Sequence, residues 1–299
     1  MSISRLYVSG LWIIPGNLKR NRQHYLDLLP ETFELLRGQK LAFYCDADDV
    51  KKSAIDLAQQ LGITLFIQHV SLAELPYPQL IHRNSEIIRP GNFDVWARAF
   101  QGLGSNEKAL NQLRFQSDST NTSYPQLVTC WTSKPFLIGK AISNYDYTEY
   151  VWVDASLARY DFKIIGDFRR WVINSEQLSH YSSRMKLFGK RQPLRGGCLG
   201  ARKATWLRVI AAYDSTFHDF FARKCPHPVD DEILFALCEA KYPELFHCTN
   251  PTRTWLHKVI GKIIWNLRLT SFINSFELEA LPSKLFLTKA SRIFFPCHS

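Results

Sequence analysis

The chain has no CxxC pair, and its seven cysteines (45, 130, 198, 225, 238, 248 and 297) are an odd number. That pattern excludes a zinc ribbon and does not read as a disulfide framework; reduced thiols in a cytosolic compartment are the expectation. GxGxxG after the first apolar segment is missing, and so is any Walker A motif. Two common nucleotide-binding signatures therefore lose support. The histidines are scattered, without HxxxH or HExxH spacing. No apolar run reaches the roughly 18–20 residues that would cross a bilayer. The opening LYVSGLWIIP is interrupted by Ser9-Gly10, followed by Asn-Leu-Lys-Arg, and lacks a small-x-small cleavage site. It reads as a first buried strand rather than a signal peptide. Asn121-Thr122-Ser123 matches a glycosylation sequon, which carries no weight without an export signal.

What is present starts with bulk. The 299 residues include 8 Trp and 20 Phe, enough for one large α/β domain or two smaller ones with ample core material. Charge is strongly asymmetric. Up to Ser183 there are 19 Lys+Arg against 18 Asp+Glu, and from Arg184 onward 18 against 9. Acidic residues are thus scarce in the last two-fifths, and the basic excess points to an anionic partner: phosphates, an acidic lipid surface or nucleic acid. No zinc finger, RRM or helix-turn-helix signature accompanies it, so nucleic acid is not the expected partner.

The first half alternates between strand-like and helix-like segments. Leu6 to Ile14 is apolar and β-branched, and Arg20 to Leu36 has helical spacing closed by Gly38. Leu41 to Cys45 reads as a second strand, Val50 to Leu61 as a helix ended by Gly62, and Thr64 to Val70 as a third strand. Such repetition predicts a Rossmann-type, mainly parallel sheet with helices on both faces. Residues 71 to 126, punctuated by Pro and Gly, read as an insertion over the sheet. Helices are expected near Asp167–Leu178, Ala204–Lys224 and Asp230–Tyr242. The domain is expected to span residues 1–251, with a basic extension over 252–299.

The segment Lys134 to Tyr160 is the most informative. It reads as a helix beginning at Lys134, a loop, and the apolar strand Tyr150-Val-Trp-Val, ended by Asp154. Ligands of open α/β sheets collect beyond the carboxyl ends of strands, so a carboxylate there suits a cation or a polar ligand. The same Asp could instead cap the turn. Tyr44 and Asp46 end a neighbouring strand, where a ring could stack on a base and a carboxylate bind a ribose hydroxyl. Asp46-Ala-Asp48-Asp49 equally suits a helix cap. Gly196-Gly197-Cys-Leu-Gly200, followed by Arg202 and Lys203, offers a tight backbone with basic groups and helix N–H donors for phosphate, or an ordinary strand-to-helix turn. Asp230-Asp231-Glu232 opens a helix. The acids offset its dipole, yet three adjacent carboxylates exceed what a cap requires, and Asp231 is the candidate general base.

From Thr252 the character changes. Trp255, Leu256, Val259, Ile260, Ile263 and Leu267 form an apolar arc opposite His257, Lys258, Lys262 and Arg268, although Trp265 and Leu269 breach that side. Two readings stand: a helix lying on an anionic membrane surface, or one packed on the catalytic domain.

Four blocks resemble the bacterial HtrL/YibB-like (WlaTC/HtrL) family. They are Tyr7-Val-Ser-Gly-Leu-Trp-Ile, Lys134…Asn144 with Tyr150-Val-Trp-Val-Asp-Ala155, the Gly196-Gly197…Gly200 turn, and Asp231-Glu-Ile-Leu…Tyr242-Pro-Glu-Leu-Phe246. Together they span about residues 6 to 247. The resemblance implies a GT-A type glycosyltransferase, hexosyltransferase-like, building surface polysaccharide or lipopolysaccharide. Its substrates would be a nucleotide-sugar donor, a UDP-sugar for preference, and a glycan or lipid-linked acceptor. It would reside in the cytoplasm, peripheral to the inner face of the membrane.

Carried onto this chain, the resemblance implies a donor site lined by Val8, Ser9, Gly10, Tyr44, Asp46, Lys134, Asp154, Gly196, Gly197 and Lys203. Asp154 and Asp231 would be catalytic. The family's Asp-x-Asp motif reads Asp154-Ala155-Ser156 here, so a single acid, Asp154, is left to hold Mn²⁺ or Mg²⁺. It would need a later ligand such as His247 or His257, or else Lys and Arg neutralise the phosphates. The missing second acid also fits a non-catalytic nucleotide-sugar-binding protein of the same fold.

Overall fold

A computed structural model describes residues 4–17, 20–76, 123–159, 171–181, 186–187, 190–191, 196–222 and 230–249. Strand β1 (Arg5–Leu11) leads to helix α1 (Arg22–Glu34), β2 (Lys40–Cys45), α2 (Asp48–Leu61) and β3 (Thr64–His69). Two consecutive helices, α3 (Tyr124–Thr132) and α4 (Lys134–Asn144), precede β4 (Glu149–Val153). Then come β5 (Leu178–His180), a small hairpin of β6 (Lys186–Leu187) and β7 (Lys190–Arg191), and β8 (Cys198–Arg202). Helices α5 (Lys203–Ala222) and α6 (Asp231–Lys241) and strand β9 (Phe246–Cys248) complete the order.

The main sheet has seven strands in the order β3-β2-β1-β4-β8-β5-β9. Every strand runs the same way except β8, which is antiparallel to both β4 and β5. The fold is therefore α/β on a mostly parallel mixed sheet. From β1 the chain first builds outward through β2 and β3, then returns to lay β4 on the other side of β1. That reversal is a topological switch point, and it opens a crevice beyond the carboxyl ends of β1 and β4.

Alternation along the strands sends their side chains into two cores. Tyr7, Leu41, Phe43, Val151 and Val153 pack under α1 and α2, on one face. Leu6, Val8, Tyr44, Tyr150 and Trp152 pack under α3, α4, α5 and α6, on the other. Near-continuous apolar strands are what a sheet covered on both faces demands.

The elements anticipated in the first half all form, with ends shifted by a few residues. Residues 171–177, expected to belong to a helix, are irregular instead. Asn174 Oδ1 accepts from the backbone N–H of Glu176 at 2.9 Å and of Gln177 at 3.1 Å, a local turn that competes with helix formation. Leu178 then starts β5. The expected insertion over 71–126 lies mostly outside the described residues, and so does the whole segment 252–299.

At the edge opposite the crevice, Arg5 clamps β1 to β4. Its Nε and Nη2 reach Glu149 Oε2 at 3.0 and 2.8 Å, and Nη2 also donates to the Trp171 carbonyl at 2.9 Å. Glu149 is 3 % exposed. Truncating one partner of a buried pair strands the other's charge. Glu149→Ala is therefore expected to lower stability by about 3 kcal/mol, read as an earlier urea midpoint. A midpoint equal to wild type would show that the clamp contributes nothing.

His180 on β5 is fully buried, and its ring meets Phe246 edge-on at 6.3 Å. Burial, aided by His247 and only partly opposed by the Tyr181 carbonyl, pushes its pKa down to about 4. The unfolded chain binds this proton near pH 6.5. Its contribution to stability is thus intact above about pH 6.5 and is lost as pH falls from there to about 4. The loss should total about 3 kcal/mol. Unfolding measured between pH 7 and 4 should show this slope in wild type and lack it in His180→Phe.

Candidate functional site

Four charged side chains from three parts of the chain meet at the crevice. Lys134 occupies the first turn of α4, followed by Pro135. A cation there opposes the helix dipole, which disfavours it by about 0.3–1 kcal/mol. Its position is explained by its partners instead. Nζ lies 2.9 Å from Asp154 Oδ1, 2.6 Å from Asp231 Oδ2 and 2.8 Å from the Gly196 carbonyl. An ammonium has three N–H donors, and three acceptors surround this one.

Asp154 follows β4 directly, and strand alternation puts it on the same face as Trp152. The Trp152 indole N–H donates to Asp154 Oδ1 at 2.9 Å, and the Arg159 guanidinium holds Oδ2 at 2.8 Å. The Asp154 backbone N–H donates to the Gly197 carbonyl at 2.9 Å, tying the strand end to the turn before β8. Arg159 closes a short 3-10 turn, Leu157–Arg159, and donates to the Ser156 carbonyl at 3.0 Å and to the Ser156 hydroxyl.

Asp231 is brought in by α6. Asp230 is the N-cap, its Oδ1 accepting from the Ile233 N–H at 2.8 Å. Asp231 and Glu232 follow in the first turn, where negative charge complements the dipole. Glu232 Oε1 accepts from the Gly196 N–H at 3.3 Å. Gly196 is thereby held from both sides. A Cβ there would stand 1.8 Å from Asp231 Oδ2 and 3.3 Å from Lys134 Nζ. Only glycine lets the turn approach this closely.

The two carboxylates differ in character. Burial alone would raise the Asp154 carboxyl, but Lys134 and Arg159, with hydrogen bonds from Lys134 and Trp152, hold it far below the usual range. Burial also acts against a charged Lys134, yet Asp154 and Asp231 outweigh it and keep the ammonium protonated. Asp231 moves the other way: burial, reinforced by Asp154 and Glu232, raises it against the pull of Lys134. One lysine cannot neutralise two acids, and Arg159 serves Asp154 alone. The site thus holds one permanent carboxylate and one with a higher proton affinity.

The residues expected to share this site divide. Asp154, Lys134, Gly196, Gly197 and Asp231 come together. Gly10 stands level with Asp154 by the β1–β4 register, but the Trp12 ring fills the space beside it, with would-be contacts of 2.7 and 2.8 Å. Trp12 is fixed there by its N–H on the Val70 carbonyl at 2.8 Å. Val8 and Ser9 are interior, and the Ser9 hydroxyl is buried. Tyr44 is fully buried in the core under α3–α6, so its ring presents no open face to a base. Asp46 ends β2 at the same edge, two strands from Asp154, about 10 Å away. Burial raises its carboxyl, partly offset by its own backbone N–H and by His69.

Lys203 does not join them. Strand β8 runs antiparallel, so Cys198 pairs with Val153 whereas Arg202 pairs with Glu149. Arg202 and Lys203 therefore sit at the opposite sheet edge, roughly 15 Å from Gly197. There Lys203 pairs with Asp146 at 3.0 Å. His247 is exposed on β9, three strand spacings or about 14 Å across the sheet from β4. His257 lies outside the described residues.

A divalent ion at Asp154 does not suit this donor set. Both carboxylate oxygens already face cations, and among the described residues no group of three His, Cys, Asp or Glu is arranged to hold a metal. Also among the described residues, no helix is long and apolar enough to cross a membrane. Sequence reasoning missed Arg159 and the Trp152 N–H. The i, i+2 spacing of Trp152 and Asp154 could have found the latter; nothing in the sequence marks the turn that folds Arg159 back.

No protein-family model matches this chain, and no curated protein does.

Proposed function

We propose that the chain is a GT-A-like glycosyltransferase, moving a sugar from a nucleotide-sugar, a UDP-sugar for preference, to a surface polysaccharide or lipopolysaccharide acceptor. The observation that carries this is Asp154, set directly beyond β4 at the topological switch point, kept ionised, and linked through one lysine to Asp231. Crevices of this kind are where open α/β sheets bind ligands. The sheet, with one reversed strand beside β4, is compatible with a GT-A-like architecture.

Breaking a sugar–phosphate bond builds negative charge on the departing diphosphate, which catalysis must meet with aimed cations or dipoles. Basic side chains supply that role in this reading, since the donor set at Asp154 is unsuited to a metal. Asp231 acts as the base that takes the proton from the acceptor hydroxyl. Its raised proton affinity favours that task, because a base works best with a pKa near the working pH. Lys134 fixes the two carboxylates relative to each other and keeps Asp231 in place.

A second reading is favoured by the way Lys134 and Arg159 neutralise Asp154: a binding protein that holds a nucleotide-sugar without turning it over. Thermal-shift measurement against a panel of nucleotide-sugars, with and without Mn²⁺, tests both. Stabilisation by a UDP-sugar together with UDP release on adding acceptor glycan supports the transferase. Stabilisation without UDP release supports the binding protein, and no stabilisation by any nucleotide-sugar overturns both. Asp231→Asn is expected to cut turnover at least 100-fold while leaving donor binding within about twofold.

A further inference from the structure

We infer that Arg159 is the residue that grips the diphosphate of the donor, an assignment that rests on the nucleotide-sugar reading above. The two cations on Asp154 are not equivalent. Lys134 has a side chain 5 % exposed, and its three donors are matched by Asp154, Asp231 and the Gly196 carbonyl. It can contact a ligand only by giving up one of these. The Arg159 side chain is 19 % exposed, on the open side of Asp154, and its turn begins immediately after the strand that borders the crevice.

The chemistry differs as well as the position. A guanidinium presents a planar fork of N–H donors whose spacing matches two phosphate oxygens, whereas an ammonium is a point charge. Asp154 and the Ser156 carbonyl hold the fork by Nη2 and Nη1, at 2.8 and 3.0 Å. Two acceptors on two nitrogens fix the plane of the group before any ligand arrives, so little ordering remains to be done on binding. Asp154 in this arrangement aims Arg159 rather than touching phosphate itself, because two carboxylate–phosphate contacts would bring like charges together. This also accounts for a family-type site that keeps its first acid and lacks the second: the acid's partner here is an arginine.

The test is calorimetric titration of the full-length protein with UDP, and with uridine as the ligand lacking phosphate. Arg159→Lys retains a cation near Asp154 but loses the fork; it should bind UDP about tenfold more weakly. Arg159→Gln should bind it about 100-fold more weakly. Uridine affinity should stay within twofold of wild type in both. Circular-dichroism melting checks folding, and if the Gln variant is unfolded the Lys variant alone decides. Equal loss of UDP and uridine affinity would show that Arg159 only supports the fold, and unchanged UDP affinity would show that it does not touch phosphate. Either result overturns the assignment while leaving the nucleotide-sugar reading in place. Failure of the wild-type protein to bind UDP removes that reading and this assignment together.

Discussion

Gly196→Ala is expected to disable the site and destabilise the fold in one step. The added Cβ would coincide with Asp231 Oδ2, at 1.8 Å, and approach Lys134 Nζ at 3.3 Å. Asp231 cannot simply rotate aside, since it is buried and its oxygen is Lys134's acceptor at 2.6 Å. Nor can the turn retreat cheaply, because the Gly196 carbonyl is held by Lys134 and its N–H by Glu232. Whichever group yields, a buried ion pair opens, at a cost of about 3 kcal/mol. Chemical denaturation should show an earlier midpoint, and turnover of a UDP-sugar should fall below detection. A variant with wild-type midpoint and activity would mean that Asp231 and Gly196 are not this close in solution.

Asp154→Asn is the second large effect. The amide keeps the size of the side chain, and its oxygen can still accept from the Trp152 N–H. The charge is gone. Arg159 and Lys134 each lose a carboxylate at 2.8 and 2.9 Å. Stability should drop by about 3 kcal/mol, and turnover should fall about 10²–10³-fold if the aimed cations act on the leaving group. A third consequence separates a site role from a structural one. Asp154 helps to raise the Asp231 carboxyl, while Lys134 pulls it down. Removing Asp154 leaves only the downward pull, so the acid limb of the pH–rate profile should move to lower pH. Substituting Asp154 without moving that limb would show that the two carboxylates are not coupled through Lys134.

Much of the fold was legible before any coordinates. The alternation of apolar strands with amphipathic helices over residues 6–70 is a local signal, carried within windows of five to fifteen residues, and it marks β1 to β3 with their helices. Asp154 at the end of an apolar strand was legible for the same reason. Strands β5 and β9, each three residues long, were not: so short a segment has no period to detect. The reversed direction of β8 was equally hidden, since a sequence records that a strand exists and not which neighbour it joins.

That reversal explains the largest revision at the site. Gly196, Gly197 and Lys203 lie within eight positions of each other, and proximity in sequence suggested one phosphate-binding turn. A strand intervenes, and at about 3.3 Å per residue it carries Lys203 to the far edge of the sheet. Tyr44 was revised for another reason. An aromatic residue at a strand end can face a ligand or a helix, and here α3–α6 cover it.

The sequence by itself determined the alternating strands and helices, the acid that ends β4, the glycines before β8 and the acidic opening of α6. Each follows from backbone preference and solvation acting over a few neighbouring residues. Only the tertiary structure decided which charges meet: Lys134, Asp154, Arg159 and Asp231 become partners because sheet order and helix packing bring distant segments within 3 Å. Coulombic pairing depends on that distance and on the loss of water around it, and neither is written in the order of residues along the chain.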